Sequence, residues 1–216
     1  MTDLEIPQLR RIADGFTVDG AGPDLLADLL ERFDFEVSRR SPDVWATAQP
    51  GLSRDEITDR LARIGVTPPE ELIVWWMWRN GHVEGRPLRA PFAQASLETS
   101  IRYRELYLAN GLYMKFGFMT PLDSQNWLHL EHEGHLVVCC DPSELPPVVM
   151  NVYSHAMVPD EYRHNLSICT PIALWLASIV NGWMQYDVDT GFWRLDRGRW
   201  DQEIVPQEWA HAQLFG

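Results

Sequence analysis

Seven apolar residues in a row, from Leu72 to Trp78, three of them tryptophan, constrain this chain more than any other feature. The run sits in a helical window from 68 to about 79. Leu72, Trp75, Trp76 and Trp78 occupy successive sides of the turns, so no face is left to water. A helix of this kind must lie in a core. With 216 residues, 45% hydrophobic and 11% aromatic, the chain has the apolar mass to build one, which excludes intrinsic disorder and a disulfide miniprotein.

The signals around that helix are legible. Ser53 with Glu56 fits a capping box, and Thr67 with Glu70 repeats the spacing with Pro68 in the first turn. Ile57, Leu61 and Ile64 form the stripe of the first helix, and Gly65 is placed to stop it. Asn80-Gly81 is expected to end the second helix in left-handed geometry. Upstream, Pro23 opens a helix over about 23–33 through Leu25, Leu26, Leu29, Leu30 and Phe33. A Pro/Gly-rich break at 41–51 follows, so residues 1–44 are expected to be a helical N-terminal extension packed on a main domain of residues 45–216.

Downstream, 96–108 is expected to be helical. The period then changes to short strands at 116–119, 127–131, 136–140 and 148–153, separated by Pro, Gly and Asp turns. Thr170-Pro171 opens a long apolar helix, and 192–195 is a last strand. Strands in a run flanked by helices predict an α+β domain with an antiparallel meander.

Charge narrows the function classes. Thirty-one acids face 18 bases, a net charge of −13. This argues against a broad phosphate-binding face, hence no nucleic acid, and for a basic partner or for plain solubility. The polarity is terminal: residues 1–60 carry −6, 61–120 carry +2 and 121–216 carry −9. No apolar run approaches a membrane span, and MTDLEIPQLRR lacks the basic-then-apolar order of a secretory signal, so a cytoplasmic location is expected.

Chemistry-bearing clusters each have a plain structural alternative. His129, His132 and His135 with Glu131 and Glu133 lack metal-ligand spacing, and their Glu-Gly suits a hairpin turn with His129 opposite His135. No metal and no cofactor is expected. Cys139, Cys140 and Cys169 form no C-x-x-C pair and suit buried hydrophobes, and Ser154-His155 suits a loop. A hydrolase using Cys140 or His155 is the weakest reading, since no catalytic motif occurs. Asp187 and Asp189 resemble the start of a calcium loop, but position twelve is Gly198. With Trp193, Asp196, Trp200 and Asp201, they read equally as a solvated hairpin or as a partner surface of aromatic anchors among acids. Asp123, Trp127 and Glu131 join that candidate surface from the meander.

At PGLSRDEITDRLARIGVTPPEELIVWWMWRNG, residues 50–81, the chain resembles the SUKH superfamily, named partly for a fungal cell-wall-synthesis regulator. The matching features are Ile64-Gly65-Val66, Pro69 with Leu72, and Trp78-Arg79-Asn80-Gly81. Gly65, Pro69, Trp78, Asn80 and Gly81 are therefore the expected fold signature. The resemblance extends over roughly 45–205. It departs from the family at residues 1–44 and in a long insertion at 84–111. It implies a non-catalytic protein-binding module, in bacteria most often an immunity protein that neutralises one cognate toxin, such as a basic nuclease. A regulatory scaffold is the alternative it implies.

Overall fold

The computed structural model describes residues 6–12, 15–82, 94–110, 126–131, 136–151 and 164–196. In chain order these form β1 (Leu9–Ile12), β2 (Gly15–Val18), α1 (Pro23–Arg40), α2 (Pro42–Trp45), β3 (Ala48–Pro50), α3 (Arg54–Ala62) and α4 (Glu70–Trp78). Then come β4 (Arg79–His82), α5 (Leu97–Asn110), β5 (Trp127–His129), β6 (Leu136–Cys139), β7 (Val148–Asn151), β8 (His164–Leu166), α6 (Cys169–Val180), β9 (Met184–Asp187) and β10 (Phe192–Leu195). The expected strand at 116–119 lies outside the described residues. So do Glu133 and residues 84–93 of the insertion.

Local chemistry explains the helix limits. Ser53 and Glu56 form the expected capping box, each side chain answering the other's backbone N–H. Gly65, at φ 72°, ends α3 in a Schellman motif: its N–H reaches Ala62 O at 3.0 Å, and Val66 N–H reaches Leu61 O at 3.0 Å. The expected second capping box does not form. Pro69 is the N-cap of α4 without a side-chain bond, and Glu70 pairs with Arg54 instead. Nor does Asn80-Gly81 cap α4. The helix stops because Arg79 leaves in extended geometry, φ −150° and ψ 147°, and 79–82 continue as a strand paired with β3.

The main sheet has six strands in the order β1-β2-β8-β7-β6-β5. From β5 to β8 every neighbour is antiparallel, so the expected meander is present and gains β8. The sheet as a whole is mixed, which corrects the purely antiparallel expectation. Strand β2 lies parallel to β8, with Phe16 opposite Asn165. A parallel neighbour requires a long crossover, and here residues 19–163 lie between the two strands.

Register assigns the faces. Phe16, Asn165, Val149, Val138 and Leu128 stand opposite one another across successive strands and share one face, on which α6 and α1 pack. Trp127, His129, Val137 and Cys139 share the other face and are buried too. The β5 edge is closed. Gln94 bridges Glu131, Ala95 N–H reaches Leu130 O at 3.0 Å, and His129 N–H reaches Ser100 Oγ on α5 at 2.9 Å. Covering an edge in this way removes a template for foreign strands.

Residues 1–44 are not a peripheral helical attachment. Their hairpin completes the sheet, α1 runs to Arg40, and Val18, Leu26, Leu29, Leu30, Phe33 and Val37 belong to the one core that also holds Trp75, Trp76 and Trp175. The expected break at 41–51 falls instead in α2 and β3, where Trp45 is buried against Phe33 and Trp78.

Candidate functional site

Among the described residues, concavities lined by polar side chains include two of note. The larger, about 720 Å³, runs between the β3–β4 ribbon and the first half of α5. Its ribbon wall carries Gln49, Asn80 and His82, and its helix wall carries Glu98, Arg102 and Glu105, with Gln94 where the walls meet. The spacing 98, 102, 105 puts those three on one helix face.

The motif Asn80-Gly81 builds this junction. Asn80 Oδ1 accepts the Leu97 N–H at 2.9 Å, which caps α5 from a neighbouring strand. Gly81 has φ 79°, and a Cβ there would lie 2.6 Å from the Ser96 nitrogen, so no side chain fits. Gln94 is 4% exposed, and its Nε2 donates to Arg79 O at 2.6 Å and to Trp75 O at 3.2 Å. Both partners are carbonyls, which fixes the orientation of the amide. Its Oε1 is then buried with no donor, a state that ordinarily costs about 1–3 kcal/mol.

The smaller concavity, about 450 Å³, lies on the β9–β10 hairpin and is lined by Gln185, Tyr186, Asp187, Arg194 and Asp196. Asp187 is committed to the turn. Its Oδ1 accepts Thr190 N–H at 3.2 Å and Asp189 N–H at 3.0 Å, and its Oδ2 meets Arg194 at 2.8 Å. The Thr190 backbone bond foremost, with the Arg194 charge behind it, holds the carboxyl below the usual range. Asp189 and Asp196 are exposed, and Val188 at the tip is 81% exposed.

The structure thus divides the expected partner surface. Asp187, Asp189 and Asp196 share the hairpin, while Glu131 is half-buried at the far sheet edge against Gln94. Trp127 and Trp193 are 2% and 7% exposed, so neither ring is available as an interface anchor, and Trp193 packs on Tyr186 at 5.6 Å. Asp123, Trp200 and Asp201 lie outside the described residues.

The described histidine and cysteines of the remaining clusters are packed. His129 is fully buried, stands opposite Val137 and meets the Tyr103 ring edge-on at 5.4 Å. His132, His135, Ser154 and His155 lie outside the described residues. Among the described residues no three His, Cys, Asp or Glu side chains are grouped to hold a metal. All three cysteines are buried, and burial raises each thiol pKa, Cys169 to about 11. Such thiols are protonated at neutral pH and poor nucleophiles. No helix among the described residues is long and apolar enough to cross a membrane.

The groove's residues were missed in the sequence because each is ordinary alone. The helical spacing of Glu98, Arg102 and Glu105 was readable, but the wall opposite comes from a strand pairing that the sequence read as a helix cap. A scan against protein-family models finds no match for the chain, and neither does a search of the curated proteins.

Proposed function

We propose that this chain is a non-catalytic protein-binding module of the SUKH-like immunity type, which neutralises one cognate basic toxin by direct binding. The observation that carries the reading is charge placed outward. Beyond the net −13, exposed carboxylates stand on several separate elements, among them Asp24, Asp28 and Glu31 on α1, Glu98 and Glu105 on α5, and Asp189 and Asp196 on the hairpin. A surface of this sign accelerates encounter with a cationic protein and repels nucleic acid. The resemblance of residues 50–81 to the SUKH pattern supports the same reading. The buried, protonated thiols give a nucleophilic mechanism no support.

The test starts from the neighbouring genes, one of which on this reading encodes a toxin whose C-terminal domain is the partner. Co-expression should restore growth to cells producing that domain. Association of the purified pair should slow steeply as salt rises from about 50 to 300 mM. Toxicity left intact by an expressed, folded chain would refute the immunity reading, and an association rate indifferent to salt would return the acidity to solubility alone. Many weak partners in place of one tight one would favour the regulatory scaffold.

A further inference from the structure

We propose that Asn181-Gly182 is a self-modification site, at which the chain's own backbone converts Asn181 to aspartate or isoaspartate and so loosens the end of α6. The conversion needs no partner: its reactants are two adjacent residues and water.

Asparagine followed by glycine is the pair most prone to this reaction, because glycine has no side chain to hinder its nitrogen as it attacks the amide carbon. The sequence holds three such pairs, at Asn80, Asn110 and Asn181. Gly111 lies outside the described residues, and the fold separates the other two pairs. Asn80 is half-buried, its Oδ1 is held by the Leu97 N–H at 2.9 Å, and Gly81 is buried within β4. Attack there would undo the α5 cap and the pairing of β4 with β3. Asn181 is exposed at the C-cap of α6, and its side chain is held by one hydrogen bond among the described residues, from Nδ2 to Ala177 O at 2.9 Å. The Gly182 N–H reaches Ile179 O at 3.2 Å, a bond that closes the last turn, where opening costs least.

The step balances with water as its only co-reactant. The Gly182 nitrogen gives its proton to solvent base and bonds to Cγ of Asn181; the Cγ–Nδ2 bond breaks, and Nδ2 leaves as ammonia with a proton from water. Water then opens the cyclic imide, at the side-chain carbonyl to give aspartate or at the main-chain carbonyl to give isoaspartate. Aspartate sets an anion where the Nδ2 donor faced Ala177 O, a carbonyl that also accepts the Asn181 backbone N–H at 2.9 Å. An anion at a helix C-terminus is unfavourable. Isoaspartate lengthens the main chain by a methylene carbon just before Trp183 and Met184, which are 7% and 2% exposed and lead into β9.

The test is to age the full chain at mildly alkaline pH for days to weeks, quench and digest it in acid, and read deamidation and isoaspartate at each asparagine by tandem mass spectrometry. In the folded chain Asn181 should convert at least about tenfold faster than Asn80, because only the last turn of a helix must open. In urea, where no fold protects either pair, the two should convert at similar rates. Equal rates in the folded chain, or an Asn181 left intact over a period in which the unfolded chain converts, would overturn the site. The consequence has its own measurement. N181D should melt about 2–4 °C below wild type, and the aged protein should show the same lowered transition in its converted fraction. An N181D variant that melts with wild type would show that the conversion does not loosen α6, and that part of the proposal would fall.

Discussion

The Glu71 carboxylate accepts the Ile168 backbone N–H at 2.7 Å, joining α4 to the start of α6 across 97 positions of chain. Ser167 beside it has φ 74° and turns its Oγ to the Cys169 N–H at 3.0 Å. An anion at a helix N-terminus is favourable, yet this one is 3% exposed, and burial raises its pKa despite the bonds to Ile168 and Ser167.

The sign of its pH dependence follows. A raised folded-state pKa means that the folded chain holds the proton more tightly than the unfolded chain does. The contribution is full below the unfolded glutamate pKa and is lost as pH rises through the folded value. Compared with Glu71→Gln, wild type should therefore gain stability as pH falls from about 7 to about 5. Urea titrations of both proteins at each pH measure this, and a difference independent of pH would show an ordinary carboxyl.

Gly81→Ala should destabilise more than Gly65→Ala. Both glycines have positive φ, but a Cβ at Gly65 meets nothing within 4 Å, whereas at Gly81 it strikes backbone at Ser96. The first pays left-handed strain alone, about 1–2 kcal/mol, and the second adds a displacement of the α5 cap. Equal losses in urea would mean that the β4–α5 junction gives way freely.

Trp76→Ala should cost about 3–5 kcal/mol, because the ring is fully buried and its Nε1 donates to Ala95 O at 3.2 Å. Met77→Ala, on the 44% exposed side of the same helix, should stay within about 1 kcal/mol. A Trp76 variant that loses less than about 1 kcal/mol would contradict this packing.

Deleting residues 1–20 should abolish or severely weaken cooperative unfolding. It removes β1 and β2, and with them the buried Phe16 and Val18. A thermal melt unchanged by the deletion would show that the hairpin adds nothing to the core.

The features readable in the sequence were those set within a few residues. The Ser53–Glu56 box, the Gly65 stop, the burial of Trp75 and Trp76, the order of β5, β6 and β7, and the long apolar helix α6 all follow from caps and periodicity. Tertiary structure decided what no local pattern encodes. Residues 9–12 and 15–18 are not read as strands in the sequence; they pair with each other, and 15–18 add to the edge that β8 offers far along the chain. Asn80-Gly81 reads as a helix stop from composition. Its role as a strand that caps α5 needs the close approach of Ser96. Trp193 was legible as an aromatic among acids, yet which way its ring turns is set by the β9–β10 register and the packing of Tyr186 beneath it. Local signals fix where elements begin and end because caps and turns are short-range bonds. Which surfaces face water depends on contacts between distant segments, and those exist only once the chain has folded.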